Sequence, residues 1–260
     1  MKDRPSHHPI FEILCYALSP LLILALWEAG VRLTVIDARF FPAPSEILGA
    51  FGELAQSGEL STHLGISLQR IFWGFLLGSI PGVLIGVSMG YFRLFKMAMD
   101  PLIAAVYPVP KIALLPLIML VFGLGELSKV VVIAAGVFFI CTINSMAGAQ
   151  NIDRVLIEAA RSFGARPLSM FKEVILPGAT PVIFAGLRLS LGMALILIVA
   201  AEFVAAKSGL GYLIWSSWTV FYVPQMYVGL LMVAALGILF TYVLEWVERV
   251  AFPWRATRTQ

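Results

Sequence analysis

Lys111, Arg188 and Glu202 fall within the long apolar runs of the chain expected to span a membrane, the last two in the same run. A charge at mid-bilayer costs at least about 2.5–3.5 kcal/mol on insertion scales, so such a residue faces the bundle interior or a water-filled path. Two kinds of chemistry are open to them. Lys111 and Arg188 could form a cationic lining that attracts an anion. Alternatively each charge is matched within the protein, by an ion pair or by backbone carbonyls that nearby prolines release. Glu202 lies near the other end of its span from Arg188, so that pairing looks strained.

Catalysis within the membrane finds little to work with. A serine protease needs a histidine inside a span, but His7, His8 and His63 fall in a tail or at an edge. An aspartyl enzyme needs two buried aspartates, and Asp3, Asp37, Asp100 and Asp153 all sit at or beyond boundaries. There is no His-Glu-x-x-His, and no Gly-Lys pair from which a phosphate-cradling loop could be built. Cys15 and Cys141 fall inside expected helices and read as free, buried thiols, with no disulfide or metal pair. Neither a catalytic nor a metal-binding residue is expected.

The elements that must position the three charges follow from composition. Hydrophobic residues make up 60% of the 260 and charged residues 13%, where a soluble domain carries about 25% charged. A helical span needs roughly 20 apolar residues. Runs bounded by Arg70 and Arg93, by Asp100 and Glu126, by Lys129 and Asp153, and by Glu173 and Glu202 meet that need. With the first apolar run and the last, six helices are expected: 10–30, 65–91, 100–123, 129–149, 178–204 and 225–247. The runs are apolar throughout, without the alternation of a membrane barrel. The fold class is therefore all-α, a polytopic membrane helix bundle with a helical cytoplasmic loop, in one membrane domain over 1–260. No cleavable signal peptide is visible, and the first run reads as a retained span.

Cationic side chains set the orientation. They gather in the N-terminal tail, at Arg93 and Lys96, across 150–177 and in the C-terminal tail. The loop from Arg32 to His63 carries Asp37, Glu46, Glu53 and Glu59 and is net acidic. Both termini and the 150–177 loop are thus expected in the cytoplasm. The net charge of +3 reflects this asymmetry and does not suggest nucleic acid. Outside, residues 40–60 read as a short helix along the membrane surface, with Ser45 as a possible cap.

Two stretches depart from plain spans. Pro101, Pro108, Pro110 and Pro116 all fall in the third. Interior prolines kink a helix and free carbonyls, which in lipid need protein or water partners. This helix should face a cavity or a neighbouring helix. The loop at 150–177 reads as helix, turn, helix. Asn151 can cap the first helix, Gly164 ends it, Pro167 opens the second, and Pro177 stops it. Ile152, Val155, Leu156, Ala159 and Phe163 share one face. That stripe has to be buried, either against the chain's own helix ends or against a second protein.

The loop also carries a spacing. Glu158-Ala159-Ala160 is followed after three residues by Gly164, and nine residues later by Val174-x-Leu176-Pro177. It resembles the EAA loop of ABC importer permeases, the surface where the membrane subunit meets its ATPase. Tyr107–Leu117 with Phe122–Glu126, Gly186–Gly192, Ala200–Phe203, Ser208–Tyr212 and Phe41–Ser45 look like segments of the permeases for aliphatic sulfonates, taurine and nitrate. The resemblance covers roughly 40–250, and it implies a type I transmembrane domain over about 60–250. It implies ATPase coupling through Glu158, Ala159, Ala160, Phe163, Gly164 and Pro177, and a path for solute near Pro108, Pro110, Lys111, Arg188 and Glu202. It further implies a homodimer of this chain in a bacterial inner membrane, two ATPase subunits holding the ATP and Mg, and an extracytoplasmic solute-binding protein. No cofactor is expected on this chain. The solute implied is a small anion such as a sulfonate, taurine or nitrate. An ion-gradient-coupled carrier is the competing function; it would keep the broken helix but leave the loop unexplained.

Overall fold

The computed structural model describes residues 9–252 of the 260, and every described element is helical. The tails that hold Lys2, Arg4, Arg255 and Arg258, and the side chain of Cys15, lie outside the described residues. The chain divides into two compact units. One is formed by the chain up to Ser61 with Leu213–Leu230, the other by Thr62–Tyr212 with the chain from Leu231 on.

In the first unit, α1 (Pro9–Arg32) is followed by α2 (Pro44–Ser57). At 24 residues α1 is long enough to cross a bilayer. Ser45 does not cap α2. The helix begins at Pro44, and Glu46 reaches back to accept from the Ala43 N–H at 3.0 Å. The Ser45 hydroxyl instead donates to Glu28 at 2.7 Å, and Arg32 donates to the same carboxylate at 2.6 Å. α2 buries Ile47, Ala50 and Leu54 and exposes Leu48. Its end is a left-handed Gly58 (φ +79°). Tyr222 donates to Glu53 at 2.9 Å, which holds its phenol above the usual range.

The second unit is built on α3 (Glu59–Tyr91), α6 (Glu126–Gln150) and α9 (Leu176–Ala205). Between apolar helices in lipid there is no hydrophobic driving force, so association relies on close van der Waals packing between small residues. α3 supplies them at a strict four-residue spacing: Gly74, Gly78, Gly82, Gly86 and Gly90. Each lies flat on α6. A Cβ at Gly78 would stand 2.4 Å from the Ala134 carbonyl oxygen, at Gly82 2.8 Å from that of Phe138, and at Gly86 2.3 Å from that of Thr142. The opposite face of α6 packs on α9, where Gly136 meets Leu197 and Gly148 meets Ala179. Val132, Ile133, Val137 and Cys141 are consequently buried, Cys141 as a free thiol.

Among the described residues, four helices are both long and apolar enough to cross a membrane, or five if one bent pair counts as a single span. They are Glu59–Tyr91, Glu126–Gln150, Pro167–Val204 and Val223–Val250, close to four of the expected spans. The bent pair is the expected third span. It is broken, not kinked: α4 (Arg93–Val106) and the stretch Lys111–Phe122 meet at 85°. That stretch comprises a 3-10 turn, Lys111–Leu114, and α5 (Leu115–Phe122). Tyr107 still has helical angles and donates its N–H to Ile103 O, but Pro108 and Pro110 lack an N–H and Pro110 disfavours helix at Val109, so the helix does not continue through 108–110. Pro101 and Pro116 lie within helices.

Candidate functional site

The loop at 150–177 is built from its caps. Asn151 does not cap the helix after it; it closes α6. The cap of α7 (Arg154–Ser162) is Asp153, whose carboxylate accepts from the Val155 N–H at 2.9 Å. Gly164 (φ +78°) stands where only glycine is unstrained. Its N–H donates to Arg161 O at 2.9 Å, and Ala165 N–H donates to Ala160 O at 3.0 Å, the paired bonds of a Schellman turn. The stripe then divides. Ile152 is buried with Val87, Ala149, Met170 and Ile175. Val155 is 67% exposed, Leu156 54% and Phe163 90%. Glu158, Ala159 and Gly164 are exposed and Ala160 half-buried. The chain's own helix ends therefore take Ile152 and leave the rest of the face uncovered. Beside it, Ala160, Phe163, Arg166, Ser169 and Glu173 line a groove of about 430 Å³.

Pro167 opens the next helix as expected, in the short α8 (Pro167–Ser169), but Pro177 does not stop it. The helix runs on from Pro167 to Val204. Ahead of Pro177 the turn widens to a π segment, Met170–Ile175, in which the Leu176 N–H donates to Phe171 O. A proline ring clashes with the carbonyl four residues back in an α-helix, and the wider turn removes that clash.

The break in the third span lines a cavity of about 360 Å³ with Tyr107, Pro108, Pro110, Lys111, Phe139 and Met193 among its walls. Pro110 cannot supply the N–H that would bond Val106 O. Lys111 does so instead. Its Nζ donates to the carbonyls of Val106 at 2.7 Å, Tyr107 at 3.0 Å and Val109 at 2.8 Å, and lies 4.4 Å from the Phe139 ring centroid. All three ammonium donors are used within the break.

Arg188 and Glu202 are not among the residues lining that cavity. Arg188 pairs across to the helix Val223–Ala251, with Glu248 at 3.3 Å and Glu245 at 3.8 Å. Glu202 is fully enclosed. It accepts from Arg70 Nη1 at 2.7 Å, Ser67 Oγ at 2.8 Å and the Gly211 N–H at 2.7 Å. Arg70, also buried, binds Glu126 through both Nε and Nη2 and donates to Ser208 O at 2.7 Å. The 208–211 turn is thereby pinned. Gly209 (φ +119°) has no room for a Cβ, which would lie 2.2 Å from Glu202 Oε1.

Residues 82–254 match the sequence profile of the family described as binding-protein-dependent transport system inner membrane component. The chain belongs to that family. The permease is 37% identical over 92% of its length, and 86% of the relative's, to a protein of Bacillus subtilis (strain 168) named for aliphatic sulfonates transport, SsuC. It is 32% identical to the taurine transport system permease protein TauC of Escherichia coli (strain K12), over 90% of this chain and 86% of TauC. It is 34% identical to the riboflavin transport system permease protein RibX of Chloroflexus aurantiacus, over 91% and 88%. The fold is that of an inward-facing MetNI methionine ABC transporter structure, with a TM-score of 0.59 over 75% of this chain and 94% of that one at 20% identity. The permease is thus a multi-pass membrane protein near the sulfonate and taurine permeases, in a family of transport components and not of catalysts.

Several residues that organise the permease escaped the sequence reading. Arg70 and Glu126 served there as boundary markers, and Glu245 and Glu248 were not singled out, although a charge at the end of one span is well placed to pair with a charge inside another. The five-glycine spacing of α3 was the plainest unread signal, visible in the sequence without any structure.

Proposed function

We propose that this permease is the membrane subunit of an ATP-driven importer and that α7, with the turn at Gly164, docks on a partner ATPase. The single observation that carries this is the uncovered apolar face Val155, Leu156 and Phe163 on a short helix outside the spans. Such a face marks a protein contact, and it coincides with Glu158-Ala159-Ala160 and Gly164. Two copies of the chain, two ATPases with their ATP and Mg, and an extracytoplasmic binding protein form the working assembly. Both termini and α7 face the cytoplasm. Pro108, Pro110 and Lys111 shape the solute path at the cavity, Lys111 by holding the broken backbone. Arg188 and Glu202 brace its walls.

The solute is a small anion. The names of the relatives favour a sulfonate or taurine over nitrate, and the riboflavin relative makes riboflavin the necessary control. The test is uptake by proteoliposomes holding the permease, its ATPase and its binding protein. Uptake of an alkanesulfonate or taurine should require ATP on the ATPase side and no ion gradient. Phe163→Glu and Gly164→Leu should abolish uptake and co-purification of the ATPase while the permease still inserts. Normal uptake by both variants, or uptake driven by an ion gradient alone, would refute the reading.

A further inference from the structure

We infer that Pro177 and Phe171 form a relay that carries motion of α7 to the broken third span; this rests on α7 being the ATPase dock. The observations begin at Pro177, which forces the π turn at Met170–Ile175. That turn sets the direction in which Phe171 projects. Its ring lies 6.1 Å from Phe92, nearly parallel at 18°, and 5.9 Å from Tyr91. Tyr91 and Phe92 themselves meet edge to face at 4.7 Å. Phe92 is extended (φ −95°, ψ 106°) and is the single residue between α3 and α4. α4 in turn ends at the break whose residues Tyr107–Ile112 line the cavity.

The geometry suits transmission. Met170 and Ile175, the first and last residues of the π turn, are buried in the same cluster as Ile152 at the root of α7, so this end of the loop cannot slide freely over the bundle. Pro177 closes the α register to this segment, because its ring would clash with the carbonyl four residues back. The segment therefore holds the π register and moves as one body, since a close-packed interior transmits displacement instead of absorbing it. Phe171 is a positioning residue: it touches no solute and acts by setting the pivot at Phe92. Displacement of α7 carries the Phe171 ring, and with it the start of α4.

The test needs no identified solute. In the permease–ATPase complex carrying Cys15→Ala and Cys141→Ala, a thiol introduced by Met193→Cys in the cavity wall is labelled with a maleimide, with and without ATP and vanadate. The labelling rate should change by roughly fivefold or more, the low end of site-to-site coupling. Phe171→Ala should hold that change below about twofold, with the ATPase still co-purifying and hydrolysing ATP. Phe171→Tyr should restore it, and Pro177→Ala should act like Phe171→Ala. Phe92→Ala combined with Phe171→Ala should be no worse than either alone, as expected for one shared network. A full response in Phe171→Ala overturns the relay. So does loss of the ATPase in Phe171→Ala, which would make the ring a docking or folding residue. If the parental chain binds no ATPase, the docking reading fails first and the relay with it.

Discussion

Replacing Glu202 should cost more than replacing any other charge in the permease. Its carboxylate takes Arg70, Ser67 and the Gly211 N–H at 2.7–2.8 Å in an enclosed site. Glu202→Gln keeps the volume but turns one acceptor into a donor, which must then face another donor. Glu202→Ala strands the Ser67 hydroxyl and the Gly211 N–H, each at about 1–3 kcal/mol. It also leaves the Arg70 guanidinium with Glu126 as its only carboxylate. Breaking a buried pair from one side costs about 3–5 kcal/mol. At roughly 2–4 °C per kcal/mol for a chain of this size, the apparent Tm in detergent should fall by about 6–20 °C. Size-exclusion chromatography after stepped heating reads it. Substituting both ends, Arg70→Met with Glu202→Met, should recover much of the loss, because an apolar pair needs no compensation. A Glu202→Gln protein that melts within about 2 °C of the parent, less than 1 kcal/mol on that scale, would refute the reasoning. So would a double variant that loses the sum of the two single losses.

Gly82→Leu should prevent assembly of a monodisperse protein, since even a Cβ there would lie 2.8 Å from Phe138 O and 2.9 Å from Cys141 Cβ; Gly52→Ala, with nothing within 4 Å, should be neutral or stabilising by up to about 1 kcal/mol, as expression and melting will show. Lys111→Met should slow uptake at least several-fold with assembly intact, because the carbonyls of Tyr107 and Val109 lose the ammonium donor, Val106 O keeps only the Val109 N–H at 3.2 Å, and the break loses its shape. Cysteines placed at Ser57 and Ser169 should label from outside and only after permeabilisation, respectively; the reverse pattern would overturn the orientation.

By itself the sequence determined the membrane class, the helical fold and most span limits, because a bilayer demands about 20 apolar residues per span and charge marks where each run ends. It also determined the turn at Gly164 and the helix start at Pro167, which are local backbone demands. The family pattern was legible as the spacing from Glu158 to Pro177. Tertiary structure alone decided where the interior charges go. Arg188 meets Glu245 and Glu248, and Glu202 meets Arg70, at separations of 57, 60 and 132 residues. Such pairings depend on which helices are neighbours, and no local rule reports that. The same holds for the 85° break. Four prolines announced a disturbance, but how far two helices swing apart depends on what each then packs against. Pro177 shows the converse limit. A local rule reads it as a stop, yet the bundle holds the helix together through it by widening one turn, which clears the proline ring while its end residues Met170 and Ile175 stay buried.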